Sequence, residues 1–444
     1  MKNFKVNTVT VVGANGTMGK NVSAIFSSFG NAKVYMISRD LKKSEQAKES
    51  AYQSVRAESV KSKMIPADYS MLEKCIIESD IVFESVSENL EIKSAINKKI
   101  AEIAVKNIEN CRSTIFCTGT SGLSVTDLAK IFPKDLQGNY MGMHMFNPPY
   151  TMTLCEMIST VYTNRELFNN VLVYCRDILH RTVVEVKDSP AFLGNRIGFQ
   201  FINRALQYAE KYKYNGGIDY IDSILGGFTG RTMAPLVTSN FVGLDVHKAI
   251  VNNLYDNTDD FAHKTFILPN FAEKLIADGK LGSKSNGGLY KRIVHDSGVK
   301  IQQVYDIESG SYRNVVKYTF PFVETMIANL KEGNYNQAFN ILKTNHSQEA
   351  EICMSFLLKY VLYSLKATEL VGYDIHSADD VMATGFSWCP PLAMIEALGG
   401  PAEFRKLCRE RIQQAELDSI NLTELLQRIE PSKYDFRKFI KAKI

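Results

Sequence analysis

A histidine and a glutamate flank an Asn-Pro-Pro corner in the stretch HMFNPPYTMTLCE, residues 144–156. The segments NYMGMHM and TLCEMI have the apolar composition of short strands, whose ends could bring His144 and Glu156 together. A histidine can take the proton of an alcohol during hydride transfer, and a carboxylate on its far ring nitrogen would fix the tautomer. The pattern predicts a general base, His144, oriented by Glu156. The alternative is a surface histidine near an ordinary strand glutamate.

The element that would hold the hydride carrier is VTVVGANGTMGKNVSAIFSSFG, residues 9–30. An apolar strand leads into a glycine turn and then an amphipathic helix, which is typical of a dinucleotide-binding unit. The glycines allow a tight bend and close approach to a pyrophosphate, and the helix N-terminus attracts the phosphates. The spacing GxxGxxG is one residue longer than the usual GxGxxG. The predicted cofactor residues of the turn are Gly13, Gly16, Thr17, Met18 and Gly19.

The second strand, KVYMISRD at residues 33–40, lacks the terminal Asp or Glu that usually binds the ribose hydroxyls of NAD. Ser38 and Arg39 stand there instead, and a hydroxyl with a guanidinium could bind the 2′-phosphate of NADP. The alternative is that Arg39 is a solvated loop residue and Asp40 takes the ribose. The sequence leaves both cofactors open.

Two further strands are predicted, and both end in polar residues. DIVFESVSENLEIK, residues 80–93, ends with Glu88, Asn89 and Lys93 beyond an apolar segment. STIFCTGTSGLSV, residues 113–125, ends in a Gly-Thr-Ser-Gly turn containing Ser121. Because ligands of open α/β sheets gather at the carboxyl ends of the strands, Ser121 could face the nicotinamide. A serine in a turn is more often part of the turn itself.

Taken in order along the chain, these segments resemble the L-3-hydroxyacyl-CoA dehydrogenase family. GMHMFNPP and TLCEMI look like the family's catalytic histidine segment and its glutamate partner. VKDSPAFLGNR, residues 186–196, is similar to the segment that opens the family's helical domain. SENLEIK looks like its contact region near the nicotinamide, and LGSKSNGGLY, residues 281–290, resembles its closing segment. The resemblance spans residues 1 to about 292.

By position, the resemblance makes His144 the general base and Glu156 its orienting partner. The positions that hold substrate oxygens or the nicotinamide are matched by Ser121, Asn147 and Asn195. The cofactor-contact positions are matched by Glu88, Lys93 and Lys284. Three departures from the family pattern are the longer glycine turn, Ser38-Arg39 and Gly119 in place of a common asparagine. The first two leave the choice between NAD and NADP open, and the third could alter substrate fit.

The C-terminal half repeats a pattern. ILGGFTGRTMAPLVTSNFVGLD (224–245) and VMATGFSWCPPLAMIEALGG (381–400) both contain Gly-Phe, then Pro-Leu, then a glycine seven residues after the leucine. An acidic pair precedes each, Asp219/Asp222 and Asp379/Asp380. We therefore predict a duplicated helical domain whose second copy does no chemistry and covers the first. Trp388, the only tryptophan, is predicted to be a core or interface residue.

These patterns predict an α/β, Rossmann-like, doubly wound sheet followed by two all-α domains. The expected boundaries are 1–188, 189–310 and 311–444, with a polar linker at 292–314 that could carry a short hairpin. A net charge of +4 without a dense basic run excludes a nucleic-acid footprint, and no apolar run has the length of a membrane span. The eight cysteines lack metal-ligand spacing, so we expect reduced thiols, no metal site and a cytoplasmic protein.

The function that follows is interconversion of an L-3-hydroxyacyl-CoA thioester and its 3-oxo counterpart with NAD, the family's cofactor, or NADP. His144 would take the hydroxyl proton, while Asn147 and Asn195 would polarise the substrate oxygens. One alternative is a dehydrogenase of a 3-hydroxy acid without CoA. Another is an idle subunit that partners a separate enoyl-CoA hydratase. The expected assembly is a monomer or a homodimer.

Overall fold

A computed structural model describes residues 4–294 and 300–443 of the chain. Residues 295–299, which belong to the predicted linker, lie outside the described residues. The chain divides into two compact units, an N-terminal unit, Met1–Phe192, and a helical unit, Leu193–Ile444. The first boundary lies four residues beyond the predicted one at 188. The two predicted helical domains together form the second unit, and their separation at residue 310 stays a prediction.

The N-terminal unit contains an eight-stranded sheet in the order β3-β2-β1-β4-β5-β6-β7-β8. Its strands are β1 (Thr8–Val12), β2 (Lys33–Ser38), β3 (Met64–Asp68), β4 (Ile81–Glu84), β5 (Ile115–Thr118), β6 (Tyr140–Met145), β7 (Leu154–Ile158) and β8 (Thr182–Val186). All neighbours pair in parallel except β6 and β7, which are antiparallel. The order changes direction between β1 and β4, and such a switch point is where open α/β sheets bind ligands.

Helices cover this sheet, as the predicted doubly wound fold requires. They are α1 (Thr17–Ser28), α2 (Leu41–Val55), α3 (Glu58–Lys61), α4 (Leu72–Ile77), α5 (Leu90–Lys106), α6 (Ile108–Cys111), α7 (Val125–Ala129), α8 (Lys134–Gln137) and α9 (Arg165–Val173). The central strands are almost entirely buried, which explains their continuous apolar sequence. Val9, Val11, Phe26 and Phe83 lie in the shared core.

The structure corrects two strand predictions. The segment predicted as a strand through residue 93 ends at Glu84, and α5 begins at Leu90 because the Asn89 side chain accepts a hydrogen bond from Ile92 N at 2.9 Å. Lys93 therefore lies in the first turn of a helix. The second strand ends at Ser38, and Asp40 caps α2 by accepting from Lys42 N at 2.9 Å.

The helical unit consists mainly of helices. These are α10 (Gly194–Lys211), α11 (Ile218–Ile224), α12 (Pro235–Val242), α13 (Leu244–Asn257), α14 (Asn270–Ala277), α15 (Pro321–Lys331), α16 (Tyr335–Thr344), α17 (Gln348–Val371), α18 (Ser377–Val381), α19 (Pro391–Ala397), α20 (Pro401–Arg411), α21 (Gln414–Ile420) and α22 (Leu422–Gln427). The linker forms an antiparallel sheet of β9 (Tyr290–Val294), β10 (Lys300–Asp306) and β11 (Ser311–Asn314), so the region is not wholly helical. The suggested hairpin is thus part of a three-stranded sheet.

Two helix arrangements repeat within the helical unit, as the sequence repeat suggests. Helix α10 packs against α11 and α12, and α17 packs against α18 and α19. Asp222 Oδ1 accepts from Leu236 N at the start of α12 (2.8 Å), and Asp379 Oδ1 accepts from Leu392 N at the start of α19 (2.9 Å). The acidic residues of the repeat therefore fix corresponding helix N-termini.

The two long helices, α10 and α17, pack against each other. Trp388 is 2% exposed and contacts Phe201 of α10 edge to face, so its prediction as a core residue is confirmed. Among the described residues, no helix is both long and apolar enough to cross a membrane.

Candidate active site

The glycine turn after β1 has the geometry that its residue types predict. Gly13 has φ of +90°, and its N–H and that of Ala14 both donate to Ile37 O, at 2.8 and 2.9 Å. A Cβ on Gly13 would lie 2.5 Å from Ser85 O, and one on Gly19 would lie 2.4 Å from Gly13 O. Side chains at these two positions would therefore force the turn, β4 and α1 apart.

The N-terminus of α1 is suited to an anion. Gly16 precedes the helix, and no side chain caps it there. The first turn, which starts with Thr17 and Met18, contains no acidic residue. Backbone N–H groups at the start of a helix have no intrahelical acceptor and attract phosphate oxygens. This part of the site fits the pyrophosphate of a dinucleotide.

The end of β2 differs from what the sequence suggested for Ser38. Its side chain is buried, and its hydroxyl donates to Asp40 O at 2.7 Å and lies 2.8 Å from Ser44 Oγ. The Asp40 carboxylate caps α2. Arg39 is exposed at the same turn. Of the two residues predicted to meet a 2′-phosphate, only Arg39 therefore reaches the surface.

His144 and Glu156 are direct neighbours across the antiparallel strands β6 and β7. His144 Nδ1 lies 2.9 Å from Glu156 Oε2, and both side chains are buried. Phe146 and Phe192 lie against the imidazole, with ring centroids 4.5 and 5.6 Å away. The Pro-Pro corner after β6 thus produces the contact that the sequence predicted. With Nδ1 facing the carboxylate, Nε2 is the ring nitrogen left for a substrate hydroxyl.

Asn147, the first residue after the His144–Phe146 segment, approaches the glycine-turn helix. Its Oδ1 accepts from Asn21 Nδ2 of α1 at 2.8 Å. The side chain that was predicted to bind a substrate oxygen is therefore near the dinucleotide-binding helix within the same unit.

Glu88 and Ser121 are brought together at the ends of β4 and β5. Glu88 Oε1 accepts from Thr120 Oγ1 at 2.6 Å and from Ser121 N at 2.8 Å. Its side chain remains 40% exposed. Two loops that the sequence treated separately are thus held by one carboxylate, which also faces solvent at the carboxyl edge of the sheet.

Lys93, which was predicted as a cofactor contact, is buried beside Glu84. It is 1% exposed, and its Nζ donates to Glu84 Oε1 and Oε2 at 2.9 and 3.3 Å. Glu88 Oε2 lies 3.5 Å from the same atom. Sequence reasoning missed Glu84, because a glutamate at the end of a buried strand looks like an ordinary edge residue. The available signal was its position on an otherwise apolar strand, where a buried charge needs a partner.

Asn195 and Lys284 belong to the helical unit. Asn195 is buried at the start of α10, and Lys284 Nζ lies 2.6 Å from Asp245 Oδ1 with both side chains partly exposed. Within the described residues, no group of three or more His, Cys, Asp or Glu side chains could hold a metal ion. The eight cysteines are unpaired and buried.

Comparison with known proteins gives the family. Residues 8–189 match the model "3-hydroxyacyl-CoA dehydrogenase, NAD binding domain", and residues 192–292 match "3-hydroxyacyl-CoA dehydrogenase, C-terminal domain". The chain is 29% identical over 333 residues to a Bacillus subtilis (strain 168) protein described as "Probable 3-hydroxyacyl-CoA dehydrogenase". That match covers 74% of this chain but only 40% of the relative.

Two further matches extend the comparison. The Homo sapiens mitochondrial hydroxyacyl-coenzyme A dehydrogenase is 27% identical, with 65% of this chain and 92% of that protein covered. The crystal structure of 3-hydroxybutyryl-CoA dehydrogenase from Escherichia coli K12 covers 96% of this chain and 98% of its own, with a TM-score of 0.69 at 18% identity, so it supports the fold. Together the two family models match well over half of the chain. The chain belongs to the 3-hydroxyacyl-CoA dehydrogenase family.

Proposed function

We propose that the chain interconverts L-3-hydroxyacyl-CoA and 3-oxoacyl-CoA with a nicotinamide cofactor. The observation that carries this proposal is the buried contact of 2.9 Å between His144 Nδ1 and Glu156 Oε2, in the same unit as the glycine turn. The substrate class comes from the family and its relatives, since no residue pattern by itself selects CoA. The chain spans less than half of the length of the Bacillus relative, so the activity is transferred as a proposal.

In the oxidative direction, His144 Nε2 accepts the proton of the substrate hydroxyl. Glu156, which is wholly buried, keeps the proton on Nδ1 in the neutral ring and stabilises the imidazolium that forms. When bound, the nicotinamide supplies the hydride acceptor or donor. Phe146 and Phe192 limit water around the imidazole, so the proton exchanges with the substrate rather than with solvent.

The residues around this pair have proposed roles in positioning. Asn147 would donate an amide hydrogen to the developing carbonyl, since its Oδ1 is already taken by Asn21. Ser121 would meet the substrate or the nicotinamide from the loop fastened by Glu88. Participation of Asn195 and Lys284 stays a prediction, because both lie in the helical unit. A separate enoyl-CoA hydratase as partner, and a monomer or homodimer, also stay predictions.

For the cofactor, we propose that both NAD(H) and NADP(H) are used. The family model supports an NAD-binding domain. Arg39 is exposed where a 2′-phosphate would arrive, and β2 ends in Ser38 without the carboxylate that would repel it. Because the Ser38 hydroxyl is directed into its own turn, Arg39 alone supports NADP binding. We therefore expect use of both cofactors without a strong preference for either.

A spectrophotometric assay tests this proposal. Purified protein is given acetoacetyl-CoA, or acetoacetate without CoA, and oxidation of NADH and of NADPH is followed in parallel. We expect turnover with the thioester and with both cofactors, and little with the free acid. Turnover of the free acid alone would favour a dehydrogenase that does not use CoA. Absence of turnover with tight NADH binding would favour the idle partner subunit.

A further inference from the structure

A buried charge lies beneath the switch point of the sheet and is not explained by the catalytic pair. Glu84 is the last residue of β4, which neighbours β1 and its glycine turn. Its carboxylate is 1% exposed and accepts from Val86 N at 2.7 Å and from Thr118 Oγ1 at 2.8 Å, in addition to Lys93. One carboxylate therefore joins the ends of β4 and β5 to the start of α5.

The Lys93 ammonium links Glu84 to Glu88. Its acceptors are Glu84 and, at 3.4 Å, Val86 O, while Glu88 Oε2 lies 3.5 Å away. Since an ammonium has only three hydrogens and this one is buried, it has little capacity for a bound ligand. Lys93 is therefore placed to fix Glu88, and its own contact with a cofactor stays a prediction.

Glu88 is where the connection reaches the surface. One oxygen faces Lys93, and the other holds the backbone of Ser121. The adenosine half of a dinucleotide belongs on the β1-β2 side of the switch point, so its nicotinamide half must extend over the ends of β4 and β5. Glu88 and the Ser121 loop lie on that second side.

We propose that Glu84 is a positioning residue for the nicotinamide half of the cofactor and acts through Lys93, Glu88 and the Ser121 backbone. This rests on the proposed function only for the identity of the bound cofactor. All four residues lie in the N-terminal unit. Its loss should weaken contacts to the nicotinamide half and leave the adenosine and pyrophosphate contacts intact.

The test compares the affinities of NADH and ADP-ribose, which lacks the nicotinamide, in Glu84→Gln. Glutamine keeps an acceptor for Val86 N or Thr118 and removes the charge that holds Lys93. We expect NADH to bind about tenfold more weakly, the effect of losing one charge-assisted contact, and ADP-ribose to bind as in the wild type. Glu88→Gln should produce the same pattern, and the double variant should be no weaker than Glu88→Gln alone.

The matched control is Glu73→Gln, which removes the exposed partner of Lys106 at the other end of α5. It should change neither affinity. If Glu84→Gln does not fold, Glu84→Gln/Lys93→Met removes both buried charges with similar volumes and should show the same selective loss of NADH affinity. Equal losses for NADH and ADP-ribose, no loss for either, or full additivity with Glu88→Gln would overturn the proposal.

Binding titrations do not depend on acyl-CoA turnover, so the two proposals can fail separately. A wild-type protein that binds NADH but does not reduce acetoacetyl-CoA would contradict the proposed function and leave this comparison intact. A wild-type protein that binds ADP-ribose and NADH equally well, with no contribution from the nicotinamide half, would contradict the positioning role directly.

Discussion

Two buried histidines, one in each unit, have opposite surroundings. His144 has a carboxylate on Nδ1. His247 lies between neutral groups, with Nδ1 3.1 Å from Ser239 Oγ and Nε2 3.0 Å from Asn203 Oδ1, and burial lowers its pKa to about 3. A histidine held on both nitrogens by neutral partners stays neutral and fixes packing. A histidine beside a buried carboxylate can carry a proton, which is what the proposed chemistry needs.

The largest expected effect is that of His144→Gln. We expect kcat to fall by at least about 100-fold, the usual contribution of a general base, with NADH affinity nearly unchanged. The same substitution at His247 is the control and should leave kcat within about twofold. Turnover near the wild-type value in His144→Gln would remove the distinction between the two histidines.

His247→Gln should instead change stability. Because an imperfectly satisfied buried polar group costs about 1–3 kcal/mol, we expect the free energy of unfolding to fall by that amount. Urea denaturation followed by circular dichroism measures it. An unchanged midpoint together with lost activity would show that His247, rather than His144, belongs to the working site.

The lowered pKa of His247 adds a pH dependence with a defined sign. Between its ordinary value of 6.5 and about 3, the unfolded chain binds a proton that the folded chain does not. The contribution of His247 to the free energy of unfolding is therefore complete above pH 6.5 and decreases as the pH falls. The stability difference between wild type and His247→Gln should narrow by about 2 kcal/mol between about pH 7.5 and about pH 5, since one pKa unit corresponds to about 1.4 kcal/mol. A constant difference would argue that His247 is not fixed in the neutral form.

Glu156→Gln sharpens the comparison by giving His144 a neutral partner of the kind that His247 has. The base remains, but the carboxylate charge that stabilises its imidazolium form is lost. We therefore expect kcat to fall about tenfold, equivalent to about 1.4 kcal/mol in the activation barrier. Glu185→Gln on the neighbouring β8, where the partner is the exposed Arg165, is the matched control and should retain full activity. A loss in Glu156→Gln as large as in His144→Gln would mean that the carboxylate does more than orient.

The smallest expected effect is that of Arg39, which has no proposed role at either histidine. An exposed charge pair contributes up to about 1 kcal/mol, so Arg39→Gln should lower the ratio of kcat/KM for NADPH over NADH by about fivefold. Lys43→Gln removes an exposed positive charge from the adjacent helix and should leave the ratio unchanged. If both variants shift the ratio equally, Arg39 is an ordinary solvated arginine.

The sequence predicted features that local rules determine. The glycines at 13 and 19 are required by backbone approach, and the antiparallel pairing of the strands around the Pro-Pro corner places His144 opposite Glu156. The helical repeat was visible because Asp222 and Asp379 each hold the N-terminus of a later helix at a similar spacing.

The side-chain contacts that the sequence did not predict depend on partners distant in sequence or on neighbours that compete for the same hydrogen bond. The ion pair of Lys93 with Glu84 was not predicted, because nothing local in the sequence shows that the two side chains meet. The Ser38 hydroxyl could bind a ligand or its own turn, and in the structure it contacts Asp40 and Ser44. Hydrogen-bond competition of this kind is resolved only when the strands and helices are assembled.

Transfer of deuterium from the cofactor to the substrate carbon tests the proposed hydride transfer. Acetoacetyl-CoA is incubated with NADH that carries deuterium in both C4 positions, and the product is analysed by mass spectrometry. We predict that wild type forms 3-hydroxybutyryl-CoA with one deuterium at C3 and that His144→Gln forms far less of it. Formation of no reduced thioester, or of product without deuterium, would contradict it.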